Sequence, residues 1–172
     1  SDGKGMTLEA TVRPARRMDT HALADLRVTY LAEMARLEPR LQLLPDVRQR
    51  TEQAIPIWID QEERVLLVAA GPGGDDTHPE LLGYATGVAS VWPPIFRNQH
   101  VGEVAEVFVI PGRRGEGIGR QLLATLSQGL VDLGAIVLRA PVAARNADSL
   151  ERFATQGYTR LQLVLQRGLE DG

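Results

Sequence analysis

The chain has 172 residues, a formal net charge of -3, 44% hydrophobic residues and no cysteine. This length and composition are typical of one compact domain. The lack of cysteine excludes disulfides, a thiolate nucleophile and a thiolate metal site. The negative charge argues against general binding of nucleic acid, and no apolar run approaches the roughly 20 residues that span a membrane.

The N-terminus lacks the apolar stretch of a secretion signal, so we expect a cytoplasmic protein. Residues 1–5 are small and polar and precede Met6, and we interpret them as a cloning remnant or a disordered N-terminus. Residues 6–172 are then predicted to form a single domain.

Hydrophobic patterning predicts a mixture of helices and strands along the chain. In chain order, the predicted elements are a strand at 11–14, a helix at 19–34, a helix at 44–61 interrupted near Pro56, strands at 64–70, 81–92 and 104–110, a helix at 118–133, a strand at 135–140, a helix at 147–156 and a strand at 158–166. The helix at 118–133 has the clearest pattern, with one apolar face formed by Ile118, Leu122, Leu126, Leu130 and Leu133.

The segment RRGEGIGR at 113–120 joins the strand at 104–110 to this helix. A glycine-rich turn that ends at a helix N-terminus brings unpaired backbone N–H groups and the positive end of the helix dipole to one point. Such a loop favours a phosphate-bearing ligand. The alternative is a tight connection in which glycines allow the turn and arginines keep the surface soluble.

Two common phosphate motifs do not fit this loop. A P-loop requires Gly-Lys-Ser/Thr at its end, and Gly117 is followed by Ile118. The dinucleotide fingerprint requires a third glycine at position 120, where this chain has Arg120. An enzyme that binds ATP or NAD is therefore the weaker interpretation.

The spacing Arg114-x-x-Gly117-x-Gly119 after Val-Phe-Val-Ile-Pro resembles the acetyl-CoA loop of the GNAT N-acetyltransferase superfamily. The resemblance continues through Asn146 and the ending from Phe153 to Gly157-Tyr158, and it covers about residues 103–166. It implies an α/β (α+β) domain with a mixed, mostly antiparallel central sheet. That sheet would have six to seven strands, flanked by helices and splayed after strand 4.

By the same resemblance, acetyl-CoA is the co-substrate and no metal is needed. Its pantetheine arm would pair with the backbone of Phe108, Val109 and Ile110, and the N–H of Val109 would stabilise the developing oxyanion. Its pyrophosphate would lie on the loop residues Arg113, Arg114, Gly115, Glu116, Gly117, Ile118, Gly119 and Arg120. Asn146 would reach the coenzyme arm or, alternatively, cap a helix, and Phe153 would pack against the coenzyme.

The predicted reaction is transfer of an acetyl group to a primary amine of a small molecule or peptide, by direct attack in a ternary complex. Glu106 is the candidate general base, with Glu103 in reserve; an ion pair with an arginine is the alternative role for Glu106. The resemblance also makes a homodimer possible.

One position departs from the family pattern. Many members carry a tyrosine at the place of Phe153, and its hydroxyl is the proposed acid that protonates the departing thiolate. Phenylalanine cannot donate a proton, which leaves water, Tyr84, Tyr158 or no acid at all. The same departure keeps open a non-catalytic module that only binds acyl-CoA.

Overall fold

The structure is a computed structural model that describes residues 9–95, 97 and 99–168. Within these residues the strands are β1 (Thr11–Pro14), β2 (Arg64–Gly74), β3 (Pro79–Val91), β4 (His100–Val109) and β5 (Val137–Arg139). The α-helices are α1 (Thr20–Leu37), α2 (Val47–Asp60), α3 (Ile118–Asp132) and α4 (Ala147–Thr155). The proposed cloning remnant at 1–5 lies outside the described residues.

The strands form one sheet in the order β1-β2-β3-β4-β5. The first three pairings are antiparallel, and β4 pairs with β5 in parallel. The parallel ladder is short, because it joins only Val101, Gly102 and Glu103 to Val137, Leu138 and Arg139. Among the described residues, no strand pairs with the rest of β4 on that side, which confirms the predicted splay after the fourth strand.

A β-bulge interrupts the pairing of β3 with β4. Thr86 pairs with Glu106 and Gly87 pairs with Val104, so Ala105 is an extra residue on β4. An extra residue of this kind bends the strand and increases its local twist. The bulge therefore lies at the point where β4 leaves β5.

The helices pack on both faces of the sheet and bury two hydrophobic clusters. Helix α3 covers one face, and its predicted apolar stripe is confirmed by the burial of Ile118, Leu122, Leu126 and Leu130. Leu133 is 44% exposed, because α3 ends one residue earlier. Helices α1 and α2 cover the other face, where the cluster includes Leu23, Ile55, Val68, Tyr84 and Phe108.

Some predicted boundaries were wrong. Helix α2 starts at Val47 and continues through Pro56. Thr51 and Ile55 lie one helical turn apart on the same face, and both are buried, so they hold the helix against the sheet. Strands β2 and β3 extend into the predicted loop at 71–79. The carboxylate of Glu80 accepts a hydrogen bond from the N–H of Gly73 at 2.6 Å, which draws the two strands together.

The strand predicted at 158–166 is absent, so the sheet has five strands in the described residues rather than six or seven. The alternating pattern predicted a half-buried strand, but a strand also needs a neighbour to accept its backbone hydrogen bonds. Residues 158–168 pair with no strand in the structure, and the side chains of Leu161, Leu163, Val164 and Leu165 are 67–84% exposed.

Candidate functional site

The open edge of β4 presents backbone groups that no strand pairs. The N–H of Ile110 donates to Leu82 on β3 at 2.9 Å, and the carbonyl of Phe108 also faces β3, against Gly83. Because successive residues of a strand alternate in direction, the backbone groups of Val107 and Val109 face the opening. The sequence analysis missed Val107, because the direction of each residue depends on the pairing with β3.

Ile110 has no free backbone group. Its N–H is bonded to Leu82, and its carbonyl accepts the N–H of Arg113 at 3.0 Å. Of the three residues predicted to pair with a coenzyme arm, Phe108 and Ile110 face β3, and Val109 presents its N–H to the opening while its carbonyl accepts from Arg114.

A cleft of about 420 Å³ opens beside this edge. It lies between α1, the end of β4 and the start of α4. Its lining residues are Tyr30, Glu33, Met34, Arg36, Leu37, Val107, Phe108, Val109, Arg114, Arg145, Asn146, Ala147, Asp148, Ser149 and Arg152. The cleft thus places an open strand edge next to four arginines.

The glycine-rich loop adopts the geometry that the sequence predicted. Gly115 and Gly117 have φ angles of 84° and 87°, a conformation that other residues rarely adopt. Gly117 occupies the N-cap of α3, so the first backbone N–H groups of this helix lack helical acceptors. The loop therefore has the form of an anion site at a helix N-terminus.

Gly119 needs a different explanation from Gly115 and Gly117. A Cβ added there would lie 3.5 Å from a methyl group of Val109, an ordinary van der Waals contact, and its φ is not positive. Neither packing nor backbone conformation requires glycine at this position.

Two of the three loop arginines have acidic partners. Arg113 pairs with Glu116 at 2.7 Å. Arg114 pairs with Glu33 at 3.0 Å and donates from Nε to the carbonyl of Val109 at 2.8 Å. Arg120 is exposed at the first turn of α3.

Three further arginines were missed by sequence reasoning. Arg36, Arg145 and Arg152 line the cleft, and none of them forms an ion pair with a described residue. They come from α1, from the segment before α4 and from α4 itself. No single local pattern predicts that they meet.

Glu106 lies behind the cleft in a network of hydrogen bonds. The guanidinium of Arg27 binds both carboxylate oxygens, with its shortest contact at 2.8 Å. The hydroxyl of Tyr84 donates to Oε2 at 2.6 Å, and Arg27 also stacks over Trp58 at 4.7 Å. The ion pair that the sequence analysis left open for Glu106 is therefore present, with Arg27 as the partner.

Asn146 caps α4, because its side chain accepts the N–H of Ser149 at 3.2 Å. It also lines the cleft, so the capping role does not remove it from the site. Phe153 does not line the cleft. It packs against Tyr158 with the ring centroids 5.0 Å apart and joins the cluster beneath α3.

The described residues contain no group of three His, Asp or Glu side chains able to hold a metal ion. In the same part of the chain no helix is long and apolar enough to cross a membrane.

A five-stranded, mostly antiparallel sheet flanked by helices is the fold that N-acetyltransferases of this class have. The chain belongs to the acetyltransferase (GNAT) family, whose family model matches residues 28–158.

Solved structures share the fold at low sequence identity. An aminoglycoside N-acetyltransferase, AAC(6′)-Iy, in complex with CoA has a TM-score of 0.73 and 14% identity, over 99% of this chain and 100% of that chain. AAC(6′)-Ih from Acinetobacter baumannii has a TM-score of 0.70 and 17% identity, over 95% and 99% of the two chains. A transcriptional regulator from Bacillus halodurans C-125 also has a TM-score of 0.70 and 17% identity, over 93% and 99%. Comparison with curated proteins finds no significant match.

Proposed function

We propose that the protein transfers an acetyl group from acetyl-CoA to a primary amine, by direct attack of the amine in a ternary complex. The observation that carries this proposal is the open edge of β4 at Val107 and Val109, next to the Gly117 helix N-terminus. An extended arm with amide groups and a diphosphate fits both features at once. Membership of the acetyltransferase (GNAT) family supports acetyl-CoA as the ligand that has both.

The pantetheine arm would lie along the open edge as an added strand. Its amides would exchange hydrogen bonds with the backbone of Val107, because the carbonyl of Val109 already accepts from Arg114 and the N–H of Val109 is left for the thioester. The pyrophosphate would accept hydrogen bonds from the backbone between Arg113 and Arg120, where the α3 dipole favours negative charge. Asn146 borders the same cleft and would contact the arm.

The chemistry requires a neutral amine and a stabilised oxyanion. The amine nitrogen attacks the thioester carbon, and a backbone N–H on the open edge, that of Val109, would donate to the developing oxyanion. The C–S bond then breaks and its electron pair goes to sulfur. One proton of the amine passes to Glu106, directly or through a water molecule.

Glu106 is suited to this role in one respect and restricted in another. Arg27 and Tyr84 keep the carboxylate fixed in orientation, which favours a directed proton transfer. Both oxygens already accept hydrogen bonds, however, so accepting a proton requires one of these bonds to rearrange. Glu106 does not line the cleft, so we favour transfer through water over direct contact with the amine.

The acceptor is a small-molecule or peptide amine in this proposal. AAC(6′)-Iy has also been solved with a bisubstrate analogue of CoA and acetylneamine, so aminoglycosides are the first acceptors to test. Polyamines and peptides with a free N-terminus complete the panel.

The test measures release of free thiol from acetyl-CoA, with each amine and without amine. Thiol release that depends on an amine, together with the acetylated product by mass spectrometry, supports the proposal. Acetyl-CoA binding without such release would instead support the non-catalytic module that Phe153 leaves open. Affinity for ATP or NAD but not for CoA, measured by calorimetry, would overturn both.

A further inference from the structure

A hydrogen-bond donor would stabilise the departing CoA thiolate, and Phe153 has none. The chain contains three tyrosines: Tyr30, Tyr84 and Tyr158. Their positions relative to the cleft separate them clearly, because a donor must reach the open edge of β4.

The hydroxyls of Tyr84 and Tyr158 are both buried outside the cleft. Tyr84 is fully buried, and its hydroxyl donates to Glu106 at 2.6 Å. The Tyr158 hydroxyl is also buried, on the side of α3 near Ser127, and Tyr158 does not line the cleft. Neither hydroxyl is available to a ligand in the cleft.

Tyr30 lines the cleft together with Val107, Phe108 and Val109. Its ring makes edge contacts with Phe108 and Tyr84, at centroid distances of 6.1 and 6.3 Å. These two contacts fix the ring against the strand that carries the open edge. Its hydroxyl forms no hydrogen bond with any described residue and is therefore free to bond to a ligand in the cleft.

We propose that Tyr30 is a catalytic residue whose hydroxyl donates a hydrogen bond to the CoA sulfur as the C–S bond breaks. The inference rests on the proposed acetyl transfer. It assigns to α1 a task for which many family members use a tyrosine at the place of Phe153.

Tyr30 acts as a hydrogen-bond donor and keeps its proton. Burial, with the nearby charge of Glu106, raises the pKa of Tyr30 to about 12, whereas a free thiol has a pKa near 8.5. Transfer of the phenolic proton to the thiolate is therefore unfavourable. The proton that finally reaches sulfur comes from the amine, by way of Glu106 or water, so protons and electrons balance without a tyrosinate.

The test compares Tyr30→Phe with Tyr158→Phe, which deletes the same single oxygen outside the cleft. We expect Tyr30→Phe to lower kcat by about 10- to 100-fold, the range for a hydrogen bond to a charged group. The Kd for CoA should change by less than about threefold, because the bond strengthens only as charge develops on sulfur. The Tyr158→Phe variant should keep kcat within about threefold.

The pH dependence distinguishes a donor from an acid. Wild type and Tyr30→Phe should show pH–rate profiles of the same shape between pH 6 and about 10, because Tyr30 stays neutral there. Loss of the alkaline limb in the variant alone would mean that Tyr30 transfers its proton, and this would overturn the donor role. A weakened Kd that accounts for the whole loss would also overturn it.

The two proposals fail in different ways. If wild type acetylates an amine and folded Tyr30→Phe has the same kcat, the Tyr30 assignment is wrong and the acetyl transfer stands. If wild type acetylates no amine, both are overturned. If Tyr30→Phe does not fold, Tyr30→His, which can donate a hydrogen bond, is compared with Tyr30→Leu, which cannot. A kcat at least tenfold higher in Tyr30→His supports the donor role of Tyr30. Equal kcat values in the two variants overturn that role.

Discussion

Substitution of Gly117 is the sharpest test of the loop. This residue caps α3 with a φ of 87°, in the left-handed region that costs an L-residue about 1–2 kcal/mol. Gly117→Ala should relax the free loop into another conformation, and coenzyme binding must then restore the original one. The expected loss is therefore the same 1–2 kcal/mol, or about 5- to 30-fold in the Kd for CoA. Gly117→Val should lose more, because β-branched residues are outliers at positive φ.

Gly112 provides a matched control in the same loop. It lies in a short 3₁₀ turn, its φ is not positive, and an added Cβ would contact nothing within 4 Å. Gly112→Ala should therefore change the Kd by less than about twofold. Calorimetry with CoA gives the affinities, and urea unfolding establishes that each variant is folded. Unchanged CoA affinity in folded Gly117→Val, or an equal loss of affinity in Gly112→Ala, would show that the positive φ of Gly117 is not required for CoA binding.

Three further predictions concern Glu106, its ion-pair partner Arg27 and the buried carboxyl of Asp19. Glu106→Gln should lower kcat at neutral pH more than it weakens CoA binding, and an unaltered pH–rate profile would remove Glu106 from the proton path. Arg27→Gln should lower the unfolding free energy measured in urea by about 2–3 kcal/mol, because it leaves the carboxylate of Glu106, only 13% exposed, without its cation. The exposed ion pair of Arg48 with Glu52 is the control. An equal loss in Arg48→Gln would contradict the prediction. Burial alone would raise the pKa of Asp19, but hydrogen bonds from Arg13 and the N–H of Arg16 outweigh it and hold this pKa below its ordinary value. Its contribution to stability is therefore complete above about pH 4 and decreases as the pH falls through the native pKa. As the pH is lowered, the unfolding free energy of Asp19→Asn should fall less steeply than that of the wild type. Equal slopes would exclude the Asp19 carboxyl as a source of acid sensitivity.

The fold was largely predictable from local patterns. The stripe of Ile118, Leu122, Leu126 and Leu130 repeats at helical spacing, so α3 is encoded within its own 15 residues. The glycines at 115 and 117 likewise predicted a turn with positive φ, because few other residues adopt one.

The predictions that failed depend on distant residues. An alternating pattern at 158–166 shows that one face is apolar, but it does not show whether a neighbouring strand is there to pair with it. The partner of Glu106 is Arg27, 79 positions earlier, and nothing near Glu106 identifies it. The cleft arginines also come from separate elements, so their meeting is a property of the fold.

The extra residue at Ala105 has a consequence for both acidic residues of β4. Glu103 pairs with Val88 and Glu106 with Thr86, and Val88 and Thr86 point to the same face because they are two positions apart. In a regular strand, two glutamates three positions apart would point to opposite sides of the sheet, so the bulge brings both carboxylates to one face. Deleting Ala105 would leave them two positions apart in a regular strand, so both would keep that face while β4 lost its local bend.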